Sequence, residues 1–91
     1  LKLIWKFVLP NVGQNTVEMP AKSKLLHVAY QDGIPTLWAE VDPMEIKVWR
    51  QLYVAPTGGY FDPLDKLVYV GTCVDLSFPL VWHVYDGGDG S

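Results

Sequence analysis

Apolar and polar residues alternate in short runs along most of this chain, and a period of two predicts strands. Residues 2–8 place Leu3, Trp5 and Phe7 on one side and Lys2, Ile4, Lys6 and Val8 on the other, and Pro10 closes the run. The two lysines make the second side partly wet. Asn11 to Asn15 reads as a polar loop, and Thr16 to Met19 as a short extended piece ended by Pro20. Residues 24–30 and 34–41 flank Asp32-Gly33, the strongest short hairpin signal, because both turn residues tolerate positive φ. Leu26, Val28 and Tyr30 then share one face, as do Leu37, Ala39 and Val41.

The next stretch carries two patterns. Asp42-Pro43-Met44-Glu45 supplies a capping residue, a first-turn proline and an acid three residues after the cap, which begins a helix. Ile46, Trp49 and Tyr53 would share a helical face. Yet Ile46, Val48, Arg50, Leu52 and Val54 alternate in a β-branched and aromatic composition. The reading adopted is a strand over 46–54 after a turn at 42–45, with a short helix as the alternative. Ala55 to Pro63 holds two prolines and two glycines and forms a long loop, a kind that often carries function in compact domains. Residues 67–74 and 80–85 are further strands. Gly71 marks a bulge or a close approach in the first. In the second, Leu80, Trp82 and Val84 face one way and Val81, His83 and Tyr85 the other.

These elements predict an all-β fold, a small antiparallel sandwich or barrel of five to six strands with room for one short helical turn. A single β domain spans 1–86, and the glycine-rich 87–91 forms a flexible C-terminal tail. A hydrophobic content of 49% with a net charge of −3 excludes disorder for the body of the chain, and 91 residues exclude a two-domain enzyme. Four Trp, five Tyr and three Phe are more aromatic surface than one small core easily absorbs. Part of it is expected outside, as a self-interface or a ligand platform.

Charge narrows the partners. Residues 1–50 carry six of the seven bases, and 51–91 carry Lys66 alone against Asp62, Asp65, Asp75, Asp86 and Asp89. One arginine and no basic run argue against general nucleic-acid binding. The acids are too dispersed for a DNA mimic. Cys73 is the sole cysteine, so no intramolecular disulfide forms, which fits a reducing cytoplasm. No apolar stretch reaches the roughly 18 residues of a membrane span, and the first ten residues lack a signal-peptide pattern, so an intracellular protein is expected.

Candidate chemistry is sparse. His27, His83 and Cys73 stand at no metal-ligand spacing, so no metal and no cofactor is expected. Cys73 lies among apolar residues with no cation to lower its pKa and reads as an inert thiol. Asp42 to Glu45 and Asp62 to Asp65 read as turn or cap motifs, not as a hydrolytic pair. Thr57-Gly58-Gly59 is a short turn whose amides could cradle an anion. A nucleotide would stack on an aromatic ring and set its phosphates near a cation and loop amides, which selects Trp49, Arg50, Thr57, Gly58, Gly59 and Tyr60 as candidate ligand-binding residues.

Several pieces carry a resemblance: Val17-Glu18-Met19-Pro20, Leu25-Leu26-His27-Val28, Leu37-Trp38-Ala39, Tyr69-Val70-Gly71-Thr72 and Val81-Trp82-His83-Val84. In this order the chain resembles a family of short proteins encoded mostly by bacteriophages and prophages. That family tends to carry Gly-Thr-Gly-His in the loop where Ala55-Pro56-Thr57-Gly58-Gly59 stands, so no loop imidazole is carried over. The resemblance implies a phage origin and a single small domain, and no chemistry; with no signal peptide or membrane span in the sequence, the host cytoplasm is the expected location. The combined expectation is a non-enzymatic accessory protein that binds a host protein or sequesters a nucleotide-type signal in counter-defence, and that also associates with itself. The alternative is a minor structural or assembly protein of the virion, acting as an oligomer.

Overall fold

The computed structural model describes residues 1–59, 67–78 and 80–89. Seven strands follow in chain order: β1 (Leu3–Val8), β2 (Gly13–Pro20), β3 (Lys24–Gln31), β4 (Ile34–Val41), β5 (Lys47–Pro56), β6 (Val68–Asp75) and β7 (Leu80–Asp89). They form a three-stranded sheet in the order β1-β4-β3 and a four-stranded sheet in the order β2-β5-β7-β6. Every pairing is antiparallel. The all-β antiparallel class predicted from alternation is the observed one, with no helix among the described residues. Among the described residues no helix is therefore long and apolar enough to cross a membrane.

The core lies between the sheets. Val28 and Leu37 come from the three-stranded sheet, Met19, Leu52, Val54 and Val84 from the four-stranded one, and Leu9 from the connection after β1. Phe7, Val17, Leu25, Val70 and Trp82 pack around them, half-buried. Removing this apolar surface from water is the main term that holds the sheets together.

The seventh strand is the stretch at 16–19, which extends over Gly13–Pro20. Its period of two is hard to see because one inward position is Asn15, 2% exposed. The Asn15 carboxamide accepts from the Asn11 backbone N–H at 2.9 Å and donates to the carbonyls of Asn11 at 2.8 Å and Gly13 at 3.3 Å. A buried polar side chain is tolerated when satisfied in this way.

The segment at 42–45 is a turn without a helix. The Met44 N–H donates to the Asp42 carboxylate at 2.9 Å, and the Glu45 N–H to the Asp42 carbonyl at 3.1 Å. Ile46 then uses its carbonyl to accept from Ala21, and β5 begins at Lys47. The Asp32-Gly33 hairpin forms as expected, with φ of 51° and 80° and Gln31 paired to Ile34.

Three bulges change which way side chains point. One, between Leu25 and His27, rotates Leu26 out, so Leu26 does not share the face of Val28. Leu26 is 42% exposed while Leu25 packs on the core. A second, at Val70, lets β6 bend toward β3, and Gly71 is what permits the contact. A Cβ there would stand 2.7 Å from Val28 Cγ2. A third places Gly87 opposite the Gln51–Leu52 step and continues through Gly88 at φ +83°. It carries β7 on to Asp89, so residues 87–89 belong to the ladder instead of starting the expected tail.

Candidate functional site

The side of the four-stranded sheet turned away from the core carries a cluster of polar and aromatic groups. Leu52, Val54, Cys73 and Val84 point inward and are buried. Alternation therefore sends Tyr53, Thr72, His83 and Tyr85 outward. Tyr53 of β5 pairs with Tyr85 of β7, and Tyr85 pairs with Tyr69 of β6, which makes a row of three tyrosines across three strands. Tyr69 and Tyr85 meet edge to face with ring centroids 5.6 Å apart, a favourable quadrupole arrangement.

Tyr69 reaches this row only because of the bulge at Val70. Gly71 lies opposite inward-facing Val84, so unbroken alternation would turn Tyr69 inward as well. The extra residue reverses it, and its ring is 55% exposed.

The adjacent row is Ala55, His83 and Thr72. The His83 imidazole is held at both nitrogens, Nε2 by the Thr57 hydroxyl at 2.7 Å and Nδ1 by the Thr72 hydroxyl at 3.1 Å. Thr72 in turn meets the Tyr69 hydroxyl. A continuous chain of side-chain hydrogen bonds thus runs from Thr57 through His83 and Thr72 to Tyr69. It fixes the ring plane and turns a set of rotatable groups into a rigid surface.

Of the six residues expected to bind a ligand, the five described ones do not converge. Trp49 is 57% exposed on the same outer side, opposite Glu18 of β2. Seven residues of extended strand lie between it and Thr57, a span of about 27 Å. Arg50 points the other way. Its Nε and Nη2 donate to the two Asp86 oxygens at 3.0 and 2.6 Å, and its Nη1 to the Ser23 carbonyl at 3.0 Å. The Asp86 hydrogen bonds raise the Arg50 pKa against the opposing effect of burial.

Thr57, Gly58 and Gly59 form a tight turn with Gly58 at φ +80°. The Gly59 N–H donates to Pro56 and the Thr57 N–H to Val81, both at 2.9 Å, so neither amide is left for an anion. Tyr60 lies outside the described residues. Of the five described, Thr57 joins the hydrogen-bonded network, and Trp49 shares its side of the sheet.

The residues missed are Tyr53, Tyr69, Thr72, His83 and Tyr85. A signal for two of them was present, since alternation places His83 and Tyr85 on one face of β7. The cross-strand register that adds the others is not encoded locally.

The remaining reactive groups stand apart. Cys73 is buried on the inner side, and burial pushes its thiol pKa up. It pairs with Trp82, while His83 pairs with Thr72 on the opposite face, so Cys73 and His83 do not form a couple. His27 packs against Trp38 on the outer side of the three-stranded sheet, with centroids 6.1 Å apart. Among the described residues no group of three or more His, Cys, Asp or Glu converges as a metal site.

Residues 1–90 match the family model described as a domain of unknown function, DUF7352, and the chain belongs to that family. No curated protein and no solved structure matches it.

Proposed function

We propose that this member of the DUF7352 family is a non-enzymatic protein-binding module, an accessory protein of the kind phages encode, and that it engages a host protein through the outer side of its four-stranded sheet. The observation that carries this reading is the row Tyr53–Tyr85–Tyr69, with Tyr85 in register with each of its neighbours. Tyrosine offers a large contact area for the loss of few rotatable bonds, and its hydroxyl satisfies polar groups that a partner buries. The chain Thr57–His83–Thr72–Tyr69 pre-organises the same surface, which lowers the entropy lost on association.

A protein is favoured over a nucleotide-type signal because of the cations. Arg50 is committed to Asp86 on the inner side, and the Lys47 ammonium lies 5.4 Å from the Trp5 ring centroid. Neither is placed to neutralise a phosphate stacked on the tyrosines.

The test compares the wild-type chain with Tyr69→Ser and His83→Ala, all shown to be folded by circular dichroism. Each is immobilised and offered a bacterial host extract, and the protein retained by wild type is purified and titrated. The expected result is a partner whose Kd weakens about tenfold or more in Tyr69→Ser, as for a hot-spot aromatic. Equal affinity for all three chains rules out this face. Heat on titration with a cyclic dinucleotide, abolished in Tyr69→Ser, would restore the nucleotide reading in its place.

A further inference from the structure

A sandwich of open sheets has four edge strands, here β1 and β3 in one sheet and β2 and β6 in the other. Unpaired edges invite a further strand, and proteins block them with bulges, prolines, charges and close neighbours. Three of these edges carry such features. β3 and β6 each contain a bulge, and they pack on one another through Gly71 and Val28. β2 starts at Gly13 with φ +91°, ends at Pro20 and carries Glu18.

Among the described residues nothing covers the fourth edge. β1 pairs with β4 without a break from Leu3 to Val8 and contains no glycine, proline or bulge. Its one charge is Lys6, whose ammonium reaches across β4 to donate to Gln31 of β3 at 3.0 Å, away from the free edge. Leu3, Ile4 and Val8 are 40%, 64% and 52% exposed. The flank is open as well, since β1 and β2 have no approach comparable to that of β3 and β6.

We infer that β1 is an interaction edge and that its occupant is β1 of a second copy of this chain, paired antiparallel about a two-fold axis at Trp5. Directly opposed residues share a face of the sheet, so the register must match core-side with core-side positions. The Trp5-centred register does so. Trp5 opposes its own copy, Leu3 opposes Phe7, and Ile4 opposes Lys6. A two-fold at Lys6 would set two like charges against each other, and one between Trp5 and Lys6 would place a core-side residue against a solvent-side one. The strand is thus complementary to itself in the Trp5-centred register, and two three-stranded sheets become one of six strands.

The register sets the experiment. Sedimentation velocity of the full chain from 1 to 200 µM is expected to show a species of twice the 10.3 kDa chain mass. Ile4→Lys puts lysine opposite Lys6 at both symmetry-related positions and weakens the dimer about tenfold. Ile4→Lys combined with Lys6→Glu restores an attractive pair at both positions and returns the dimer to within about threefold of wild type. Ile4 is exposed and stands beside Glu40 in its own sheet, so the substitution leaves the monomer folded. Three outcomes overturn the inference: a monomer at every concentration, a dimer indifferent to Ile4→Lys, or a dimer lost in Tyr69→Ser and kept in Ile4→Lys. The last would make the tyrosine row the self-interface.

Discussion

Arg50 and Asp86 lie on adjacent strands of the four-stranded sheet and meet through two parallel hydrogen bonds, with side chains only 16% and 15% exposed. The guanidinium also ties down the Ser23 carbonyl, and the Asp86 carboxylate takes the Gly88 N–H at 2.8 Å. The pair thereby fastens the link between β2 and β3 to the bulged end of β7. Bidentate geometry, with further hydrogen bonds to the Ser23 carbonyl and from the Gly88 N–H, is the arrangement in which the Coulombic gain best offsets the loss of hydration.

The pair makes stability fall in acid. Burial opposes ionisation of Asp86 most strongly, but the hydrogen bond from Arg50, the Gly88 N–H and the Arg50 charge together outweigh it and lower the pKa. A depressed carboxyl pKa contributes stability in full above the unfolded value of about 4, and that stability is lost as pH falls through the folded value. Urea denaturation across pH 2 to 7 should therefore show a decline below about pH 4 that Asp86→Asn flattens. At pH 7, Arg50→Ala should cost about 2 kcal/mol, since it leaves a half-buried carboxylate without its partner. A loss under 0.5 kcal/mol would show that water replaces the guanidinium.

Gly71 and Val28 should behave as one unit. A methyl at Gly71 falls 2.7 Å from Val28 Cγ2, so Gly71→Ala must push β6 from β3 or force Val28 off its rotamer. Overpacking of this kind costs about 1–3 kcal/mol. Val28→Ala alone leaves a cavity and also destabilises. The double variant should be more stable than the sum of the two losses predicts, by about 1 kcal/mol or more in a double-mutant cycle. Additive effects would mean that the sheets yield at this seam.

Cys73 should be slow toward thiol reagents. The reactive form is the thiolate, and burial both covers the sulfur and raises its pKa. A chromogenic disulfide reagent at pH 8 should label the native chain at least about a hundredfold more slowly than the chain in 6 M guanidinium. Equal rates would place the thiol at the surface.

Much of the fold was legible because its signals are local. The Asp32-Gly33 turn, the alternation in β1 and the glycine that admits a close neighbour at 71 each depend on a few adjacent residues, and each is found in place. The binding face was less legible because bulges are decided by what lies opposite. Tyr69 turns outward, and Leu26 leaves the face of Val28, through one extra residue whose position depends on packing of strands far apart in sequence. The same holds for Arg50. A lone arginine beside an exposed tryptophan reads as a phosphate ligand, whereas Asp86, thirty-six residues later, claims it. Asp86 was hidden because β7 reads as ending at 85 unless the Gly87–Gly88 bulge is recognised.

The uneven guarding of the four edges limits how far this sheet can extend. β3 and β6 lean on each other and β2 carries Glu18 and ends in proline, whereas β1, among the described residues, offers a continuous template without glycine, proline or bulge. Whatever strand takes that template uses it up. If it is the same strand of another molecule, growth through this edge ends at two, because each molecule has one β1 to offer. Addition therefore has a built-in stop, and a β-rich chain with an exposed apolar border can pair without polymerising.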